Sequence, residues 1–304
     1  MLAAGGDAAV TPYSHRSLGA MHAFGAGHRL NAACWLICWF FAAIAAPAAA
    51  LAETATAPCR GEPIATATVA RVLDGATFIL DDGREVRLGG IDAPPFGDAE
   101  AASADAKAGA EAKAKLESLV AGGPVVLKRV GPSNDRYGRV VAQVFANADG
   151  AERWIQAEMV GSGFARVSAR VGDRACAAEL LRRERLARDG KLGLWAAPYY
   201  VMRHAEDFAS VAADRGRFAL VEGKVLSVRE SGGTIYVNFG RRWSEDFTVT
   251  IAKRNARLFT AAGLEPKKLQ GRQIRVRGWI EERGGPWIDA RRPEQIEIVE
   301  TSAR

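Results

Sequence analysis

From residue 61 onward, β-branched apolar residues alternate with polar ones, which is the pattern of strands with one buried face. Five short strands are predicted first, over residues 64–73, 76–80, 85–91, 125–130 and 139–145. Residues 98–120 are rich in Ala, Glu and Lys and predict a helix between the third and fourth strands. Amphipathic helices over 152–160 and 173–189 are expected to pack outside these strands. Three strands, a helix and two strands is the order of an OB-type barrel.

The same order of elements returns nearer the C-terminus. Residues 199–216 are predicted as a helical linker. Strands are then predicted over residues 218–228, 234–239, 247–251, 273–280 and 287–298. Residues 253–262 predict a helix between the third and fourth of these strands. We therefore expect a mainly β protein with helices (α+β), in which a barrel domain over 61–198 precedes a second, OB-like five-stranded barrel over 217–300.

The N-terminal residues follow a different pattern. An apolar run, residues 32–46, follows Arg29 and precedes small residues that end at Ala52. A basic region, an apolar region and an A-x-A site are the parts of a secretory signal peptide, so we expect residues 1–52 to be removed, with Met21 as an alternative start. Cleavage predicts a periplasmic or secreted protein without a transmembrane domain in the mature chain. An uncleaved run would instead anchor the N-terminus in a membrane, although it is short for a span.

Charge and cysteine content narrow the partners and the compartment. The formal net charge of +6 favours an anionic partner, either nucleic acid or a membrane surface, without choosing between them. Four cysteines in 304 residues exclude a disulfide scaffold, and only Cys59 and Cys176 remain after the predicted cleavage. In an oxidising compartment these two thiols could form a disulfide, and the alternative is two free thiols.

Three blocks of residues carry a family resemblance. Residues 73–77 read Leu-Asp-Gly-Ala-Thr, residues 86–94 read Val-Arg-Leu-Gly-Gly-Ile-Asp-Ala-Pro, and residues 134–139 read Asn-Asp-Arg-Tyr-Gly-Arg. Together and in this order they resemble the signature blocks of the staphylococcal nuclease (thermonuclease) family. The resemblance covers about residues 61–197 and implies an OB-fold domain of the staphylococcal nuclease type.

The resemblance also implies a chemistry, the calcium-dependent hydrolysis of phosphodiesters, in which carboxylates hold the cation and arginines neutralise charge on the phosphorane. Arg87 and Arg139 match the two catalytic arginines of the family, and guanidinium groups suit bidentate contact with phosphate. Asp92 matches the metal-ligating aspartate, and Asp74 matches the acid near the metal. From the residues alone, Asp74 is equally a turn residue, and the alternative role for the two arginines is salt-bridging in a barrel wall.

Two positions depart from the family pattern. Where the family has Asp-Gly-Asp-Thr, this chain has Ala76, so a methyl group replaces a carboxylate ligand of the metal. Where the family has a glutamate as general base, this chain has Pro95, which can neither accept a proton nor hold a metal. General-base catalysis is worth about 10²- to 10⁴-fold in rate. We expect hydrolysis to be weak or lost unless the nearby Asp98 or Glu100 substitutes for the missing base.

Contacts with the substrate are implied for Arg136 and Tyr137. The tyrosine matches one that lies near the nucleotide in the family, although packing at a Tyr-Gly turn would explain it equally. Two further tyrosines of the family are replaced by Ala169 and Val171. Base stacking at those two positions is therefore expected to be lost.

A second binding face is a hypothesis for the C-terminal barrel, because OB folds bind single strands by stacking bases on aromatic rings in a basic groove. The candidates are five aromatic residues and three arginines: Tyr236, Phe239, Trp243, Trp279, Trp287, Arg229, Arg241 and Arg242. Aromatic residues of small barrels are more often core and arginines more often solvated. Such barrels also bind oligosaccharides or proteins.

Two functions remain open. The first is an exported protein of the thermonuclease family that acts on or binds DNA or RNA, with calcium as its cofactor if it is active. The second is a noncatalytic protein of the cell envelope, which holds nucleic acid, glycan or a protein partner on two OB-type barrels and needs no cofactor. They differ in whether any carboxylate takes over the role that is lost at Pro95.

Overall fold

The computed structural model describes residues 59–97, 103–131, 134–148, 150–168, 170–197, 199–242 and 245–299. In this part of the chain, five α-helices accompany eighteen strands, so the protein mixes α and β structure. None of the helices described there is long and apolar enough to cross a membrane. The predicted signal peptide lies outside the described residues.

Nine strands and three helices make up the N-terminal half of the described chain. The strands are β1 (Glu62–Ala67), β2 (Val69–Asp74), β3 (Thr77–Leu80), β4 (Glu85–Leu88), β5 (Ile91–Asp92), β6 (Val125–Arg129), β7 (Val140–Ala148), β8 (Ala151–Trp154) and β9 (Arg166–Val167). The helices are α1 (Ala104–Val120), α2 (Ile155–Gly161) and α3 (Arg174–Asp189). One sheet has the order β1-β6-β7-β4-β3-β2, with β8 also paired to β7, and β5 pairs separately with β9. Neighbouring strands are antiparallel except for β4 and β7, which are parallel.

The first predicted strand is in fact two strands. β1 pairs with β6, whereas β2 pairs with β3. The chain changes partner at Thr68, between the two strands. The alternation of apolar residues continues across this change, so the sequence pattern shows which face is buried but not where the partner changes.

Two helix boundaries also differ from the prediction. α1 begins at Ala104 because the Ser103 hydroxyl caps it, accepting a hydrogen bond from the Ala106 N–H at 3.1 Å. The helix start predicted at residue 98 lies outside the described residues. Residues 152–154 belong to β8 rather than to a helix, because they pair with β7 and Trp154 Nε1 donates to Gln143 Oε1 at 2.9 Å.

Nine strands and two short helices make up the C-terminal half. In chain order they are β10 (Met202–His204), α4 (Phe208–Ala213), β11 (Phe218–Lys224), β12 (Ser227–Ser231), β13 (Thr234–Asn238), β14 (Thr248–Ala252), α5 (Ala256–Ala261), β15 (Gln273–Trp279), β16 (Glu281–Arg283), β17 (Gly285–Asp289) and β18 (Ile296–Ile298). One sheet has the order β10-β11-β15-β18 and another the order β12-β13-β14-β17-β16.

This half contains more separate strands than the sequence predicted. Residues 199–216, predicted as a helical linker, contain β10, which pairs in parallel with β11, as well as α4. The strand predicted over 218–228 splits into β11 and β12, again because the chain changes partner, and the strand predicted over 287–298 splits into β17 and β18. The helix predicted over 253–262 begins as a 3-10 turn and becomes α-helical only at Ala256.

Each half has its own hydrophobic cluster. Phe78 and Phe145 are fully buried in the N-terminal cluster, and Phe247 and Phe259 are fully buried in the C-terminal cluster. The described residues nevertheless belong to one compact unit. Contacts between the halves therefore form part of the fold.

A buried ion cluster joins the two halves. Arg277 on β15 donates to Glu184 of α3 at 2.7 Å and 3.1 Å, and it also donates to Glu297 of β18. It donates to the Val167 carbonyl at 3.1 Å, while Glu184 accepts the Val167 N–H at 2.6 Å. Burial works to lower the pKa of Arg277, but the two carboxylates outweigh burial and raise the pKa. Below we call Glu184, Arg277 and Glu297 the buried cluster.

A disulfide connects the chain just before β1 to α3. Cys59 and Cys176 are joined, with their Cα atoms 4.4 Å apart and 117 positions apart in the sequence. Cys176 lies in the first turn of α3, and its N–H donates to the capping Asp173 side chain at 2.9 Å. A covalent link across so long a segment restricts the unfolded chain and thereby stabilises the folded one.

Candidate functional site

Arg87, the first predicted arginine, lies on a central strand of the N-terminal sheet. On β4 it stands opposite Thr77 of β3, and its Nη1 donates to Thr77 Oγ1 at 3.3 Å. The same Nη1 lies 3.8 Å from Asp74 Oδ1. Both charged side chains are partly exposed, so the guanidinium keeps a side open to solvent. The structure thus brings Asp74 and Arg87 together.

Asp74 also stabilises the turn after β2. Its Oδ1 accepts a hydrogen bond from the Ala76 N–H at 2.7 Å, which is typical of aspartate in turns. A Cβ at Gly75 would lie 2.9 Å from the Ala93 Cβ and 2.6 Å from a side chain of α1, so no larger residue fits there without a shift of the backbone. This close approach places the Asp74 turn beside the residue that follows Asp92.

The two positions that depart from the family pattern offer no side-chain oxygen. Ala76 is 0% exposed and its methyl group is part of the N-terminal hydrophobic cluster. Pro95 is exposed, and its carbonyl oxygen would lie 2.1 Å from a Cβ at Gly109 of α1. The chain at Pro95 therefore packs directly on the backbone of the helix.

Asp92 on β5 has a cationic partner that the sequence did not predict. In the β5–β9 pair it stands opposite Arg166, whose Nε donates to Asp92 Oδ2 at 3.2 Å. The guanidinium carbon of Arg166 also lies 5.0 Å from the ring centroid of Tyr200 and 4.7 Å from that of Phe218. A carboxylate and two aromatic rings therefore fix the guanidinium in place.

Calcium takes about six to eight oxygen ligands, several of them from carboxylates. Among the described residues, no three His, Cys, Asp or Glu side chains are grouped so that they could hold a metal ion. Of the two predicted ligands, Asp92 is paired with Arg166, and Asp74 is engaged by its own turn and lies near Arg87. The donor set of the described residues therefore does not fit calcium. Asp98 and Glu100, the predicted substitutes, lie outside the described residues.

Arg139, the second predicted arginine, directly precedes β7, the parallel neighbour of β4. Its Nε donates to Asp135 Oδ2 at 2.7 Å, and Asp135 Oδ1 accepts the backbone N–H groups of Tyr137 and Arg139. Arg139 Nη1 also lies 3.8 Å from Glu85 on β4, the strand that carries Arg87. Burial raises the pKa of Asp135, but the hydrogen bonds from Arg139 and the backbone outweigh it and hold the pKa below its usual value.

Arg136 and Tyr137 project from the turn before Arg139. Tyr137 is 66% exposed, and the Arg136 guanidinium carbon lies 4.7 Å from the centroid of its ring. The turn therefore presents a cation and an aromatic face to solvent. Val171, where the family has a tyrosine, is buried in the N-terminal cluster and offers no stacking face. Ala169 lies outside the described residues.

The aromatic residues predicted for a C-terminal binding face do not share one environment. Phe239 is 7% exposed and packs against Phe247 in the C-terminal core, so its assignment to a binding face is wrong. Trp279 is 58% exposed and Tyr236 is partly exposed, on strands of different sheets. Trp243 lies outside the described residues.

The remaining candidates of that face lie on the sheet that contains Tyr236 or in the chain that follows β13. Trp287 on β17 is covered by the Arg283 guanidinium, whose carbon lies 3.7 Å from the centroid of the Trp287 ring. Arg229 on β12 stands directly opposite Tyr236 of β13 and lines a small cavity, and Arg241 and Arg242 are exposed near the end of β13. Trp279 lies on a different sheet from Arg229, Tyr236 and Trp287.

Sequence reasoning missed Arg166, Glu184 and Arg277. One signal was usable, because Glu184 falls at the spacing of the buried positions Cys176 and Leu180 on α3, and a charge on an apolar stripe indicates a buried partner. Arg166 lies in the two-residue strand β9, and Arg277 lies at a polar position of the alternating strand β15, so neither gives a comparable signal.

Two comparisons with known proteins match this chain. The family model described as staphylococcal nuclease homologue matches residues 85–197. Protein ParB of Escherichia coli is 34% identical over 168 residues, which cover 53% of this chain and 85% of that protein. The chain therefore belongs to the staphylococcal nuclease family. This domain suggests a role in cleaving or binding nucleic acid.

Proposed function

We propose that the protein is an exported member of the staphylococcal nuclease family that binds nucleic acid and hydrolyses phosphodiesters weakly or not at all. The observation that carries this proposal is the pairing of Asp92 with Arg166, because a cation of the chain itself holds the carboxylate predicted to bind calcium. Arg87 and Arg139, which are predicted to contact phosphate, remain partly exposed. This arrangement favours anions and disfavours a divalent cation.

Hydrolysis also needs a base for the attacking water. Pro95 supplies none, and the loss of a general base costs about 10²- to 10⁴-fold in rate. Ala76 places a buried methyl group where the family has a metal ligand. We therefore expect turnover to be lower by at least this factor than in a family member that has both carboxylates.

We further propose that residues 61–198 and 217–300 form two OB-type barrels. The strand pairing of the two halves supports this. In the N-terminal half, β1 is antiparallel to β6, the first strand after α1, and in the C-terminal half β11 is antiparallel to β15, the first strand after α5. In each half, a strand before the helix also pairs in parallel with a strand after it: β4 pairs with β7, and β14 pairs with β17. One pairing scheme thus serves both halves, as in a repeated OB-type topology.

Export is proposed from the signal-peptide pattern of residues 1–52 and agrees with the Cys59–Cys176 disulfide, since structural disulfides persist in oxidising compartments. The protein would then be periplasmic or secreted. Mass spectrometry of the mature N-terminus tests this. A start near Glu53 is expected, whereas retention of residues 30–50 would contradict cleavage and indicate an N-terminal membrane anchor.

Binding is tested by fluorescence anisotropy of labelled DNA and RNA oligonucleotides with the whole protein, in calcium and in chelator. We expect the same affinity in both, and weaker binding by Arg87→Ala and Arg139→Ala. Arg182→Ala is the matched control, because it removes one equal charge from an exposed ion pair on α3. Binding that requires calcium would contradict the proposal. Binding of an envelope glycan or a protein in place of nucleic acid would support the noncatalytic alternative.

A further inference from the structure

A cavity of about 190 Å³ lies beside Arg166 where the two halves meet. Its lining comes from α1, β9 and the chain leading into β10 and β11. Six of the lining residues bear on what it could bind: Asp105, Arg166, Tyr199, Arg203, Asp214 and Arg217. Each of its three guanidiniums has a carboxylate partner, because Arg166 pairs with Asp92, which lies outside the lining. Contact with an anionic ligand therefore depends on how exposed each guanidinium is.

The three arginines of the cavity differ in how they are held. Arg203 donates twice to Asp214, at 2.7 Å and 3.0 Å. Arg166 is fixed by its contacts with Asp92 and two rings, as described above. Arg217 donates to Asp105 of α1 at 2.9 Å, but its side chain is 63% exposed. Of the three, Arg217 is therefore the guanidinium most open to a ligand.

Trp279 places an exposed aromatic ring next to this cavity. At the end of β15 it stands directly opposite Phe218 of β11, and the two rings meet edge to face with their centroids 6.4 Å apart. Phe218 lines the cavity and its ring lies against the Arg166 guanidinium. A continuous row of contacts thus leads from Asp92 through Arg166 and Phe218 to Trp279.

We propose that Trp279 and Arg217 form a subsite for an unpaired nucleotide of a single-stranded nucleic acid, beside the Asp92–Arg166 pair. The base stacks on the exposed ring of Trp279, and the phosphate contacts Arg217. The inference rests on the proposed nucleic-acid binding and names its substrate class.

Single strands are the ligand that this chemistry selects. The bases of a duplex are stacked on one another, so only an unpaired base has a face free for Trp279. Stacking on an aromatic ring is tolerant of sequence, because every base has a π-face. The cavity of about 190 Å³ is smaller than the ~300–1,000 Å³ of sites for drug-sized ligands, so it would take the phosphate of one nucleotide beside Arg217, while the base lies outside it on Trp279.

The test compares variants of the whole protein in chelator, with labelled oligothymidylate of about a dozen nucleotides as the probe and the same strand in a duplex as the second probe. Trp279→Ala is expected to weaken single-strand binding by about five- to hundredfold, and Trp279→Phe is expected to keep most of the affinity. Arg217→Gln should weaken binding and reduce the slope of log K against log salt by about one. Leu258→Ala, on an exposed apolar residue of α5, is the control and should bind as the wild type does.

The outcomes separate this subsite from the general proposal. If the wild type binds single strands and Trp279→Ala binds them equally well, the subsite is wrong while nucleic-acid binding stands. If the wild type prefers the duplex, single-strand selection is also wrong. If neither probe binds, both proposals fail, and Trp279 is left as a candidate contact for a protein. Because Trp279 is mostly exposed, its replacement is not expected to unfold the chain, and a circular dichroism melt of each variant checks this.

Discussion

The ion pairs of the buried cluster and those of the candidate site lie in opposite environments. Glu184, Arg277 and Glu297 are almost entirely removed from water, whereas the pairs of Asp74 with Arg87 and of Asp92 with Arg166 are partly exposed. Removing one member of a buried pair leaves the other charge without a partner and without water, which is costly. In a partly exposed pair, water screens the attraction between the two charges, so the pair contributes little to stability. The buried cluster therefore holds structure together, while the site pairs can exchange partners with an anionic ligand.

The two groups of charges are connected through β9. Glu184 and Arg277 both hydrogen-bond the backbone of Val167, and the preceding residue, Arg166, reaches Asp92. The C-terminal half, through Arg277, thus helps to position Arg166, which pairs with the predicted metal ligand Asp92. A domain that looks like a separate module in sequence is, in this respect, part of the support for the site.

The largest effect is expected from Arg277→Ala, which removes the fully buried cation from two carboxylates and leaves them only the flanking Arg188 and Arg275. We expect the free energy of unfolding to fall by about 3–5 kcal/mol, measured by urea denaturation. The control is Arg242→Ala, which breaks an exposed pair with Glu245 and should change stability by less than about 0.5 kcal/mol. Equal losses in the two variants would remove the distinction between buried and exposed pairs.

Replacing both cysteines, Cys59→Ser with Cys176→Ser, is expected to lower the free energy of unfolding by about 2–5 kcal/mol. The unfolded chain gains freedom because the link spans 117 positions. Chemically reduced wild type is the matched comparison and should behave like the double variant. Unchanged stability after either treatment would mean that the link contributes nothing to the scaffold.

Asp92→Asn tests the site pair from its acidic side. Without the carboxylate, Arg166 is released toward phosphate and one negative charge is lost, so oligonucleotide affinity in chelator should rise by about two- to fivefold, the size expected for a partly exposed pair. Anisotropy titration measures this change. A lower affinity in chelator would contradict the competition between Asp92 and phosphate for Arg166, and a loss of affinity seen only in calcium would show that Asp92 serves as a metal ligand.

The smallest effect concerns Glu179, a partly exposed residue of α3, the helix that also carries Glu184. The hydrogen bond from Arg182, opposed by burial and aided by Arg183, lowers the pKa of Glu179 from 4.5 to about 2. A lowered folded-state pKa contributes stability that is present above the unfolded value and is lost as the pH falls from about 5 to about 2. Glu179→Gln should therefore lose less unfolding free energy over this window than the wild type. Parallel pH profiles would contradict the assigned role.

Much of the local structure was predictable because its causes are local. Alternation of apolar residues indicated β3, β4 and β13, and the Asp-Gly and Gly-Gly turns marked their ends. The placement of Arg87 near Asp74 was implied by the family resemblance, and the pairing of β2 with β3 and of β3 with β4 brings the two residues together. The strands and turns, in contrast, depend on residues within a few positions of one another.

The rest depends on contacts between distant residues. Arg166 and Asp92 are 74 positions apart and meet through β5 and β9, strands too short to show a period. The chain divides into β1 and β2, and again into β11 and β12, where it changes its pairing partner. The alternation of apolar and polar residues does not reveal such a change. β10 escaped notice because only its parallel partner β11 makes it a strand.

The most direct test of the central claim is the release of acid-soluble nucleotides from single-stranded DNA and RNA by the protein, in calcium and in chelator, beside Arg87→Ala. Since Arg166 holds Asp92 and no base stands at Pro95, we predict little or no release above that of the variant in either condition. Release that depends on both calcium and Arg87, at the rate of a family member that has both carboxylates, would contradict the account and show that a carboxylate elsewhere completes an active nuclease.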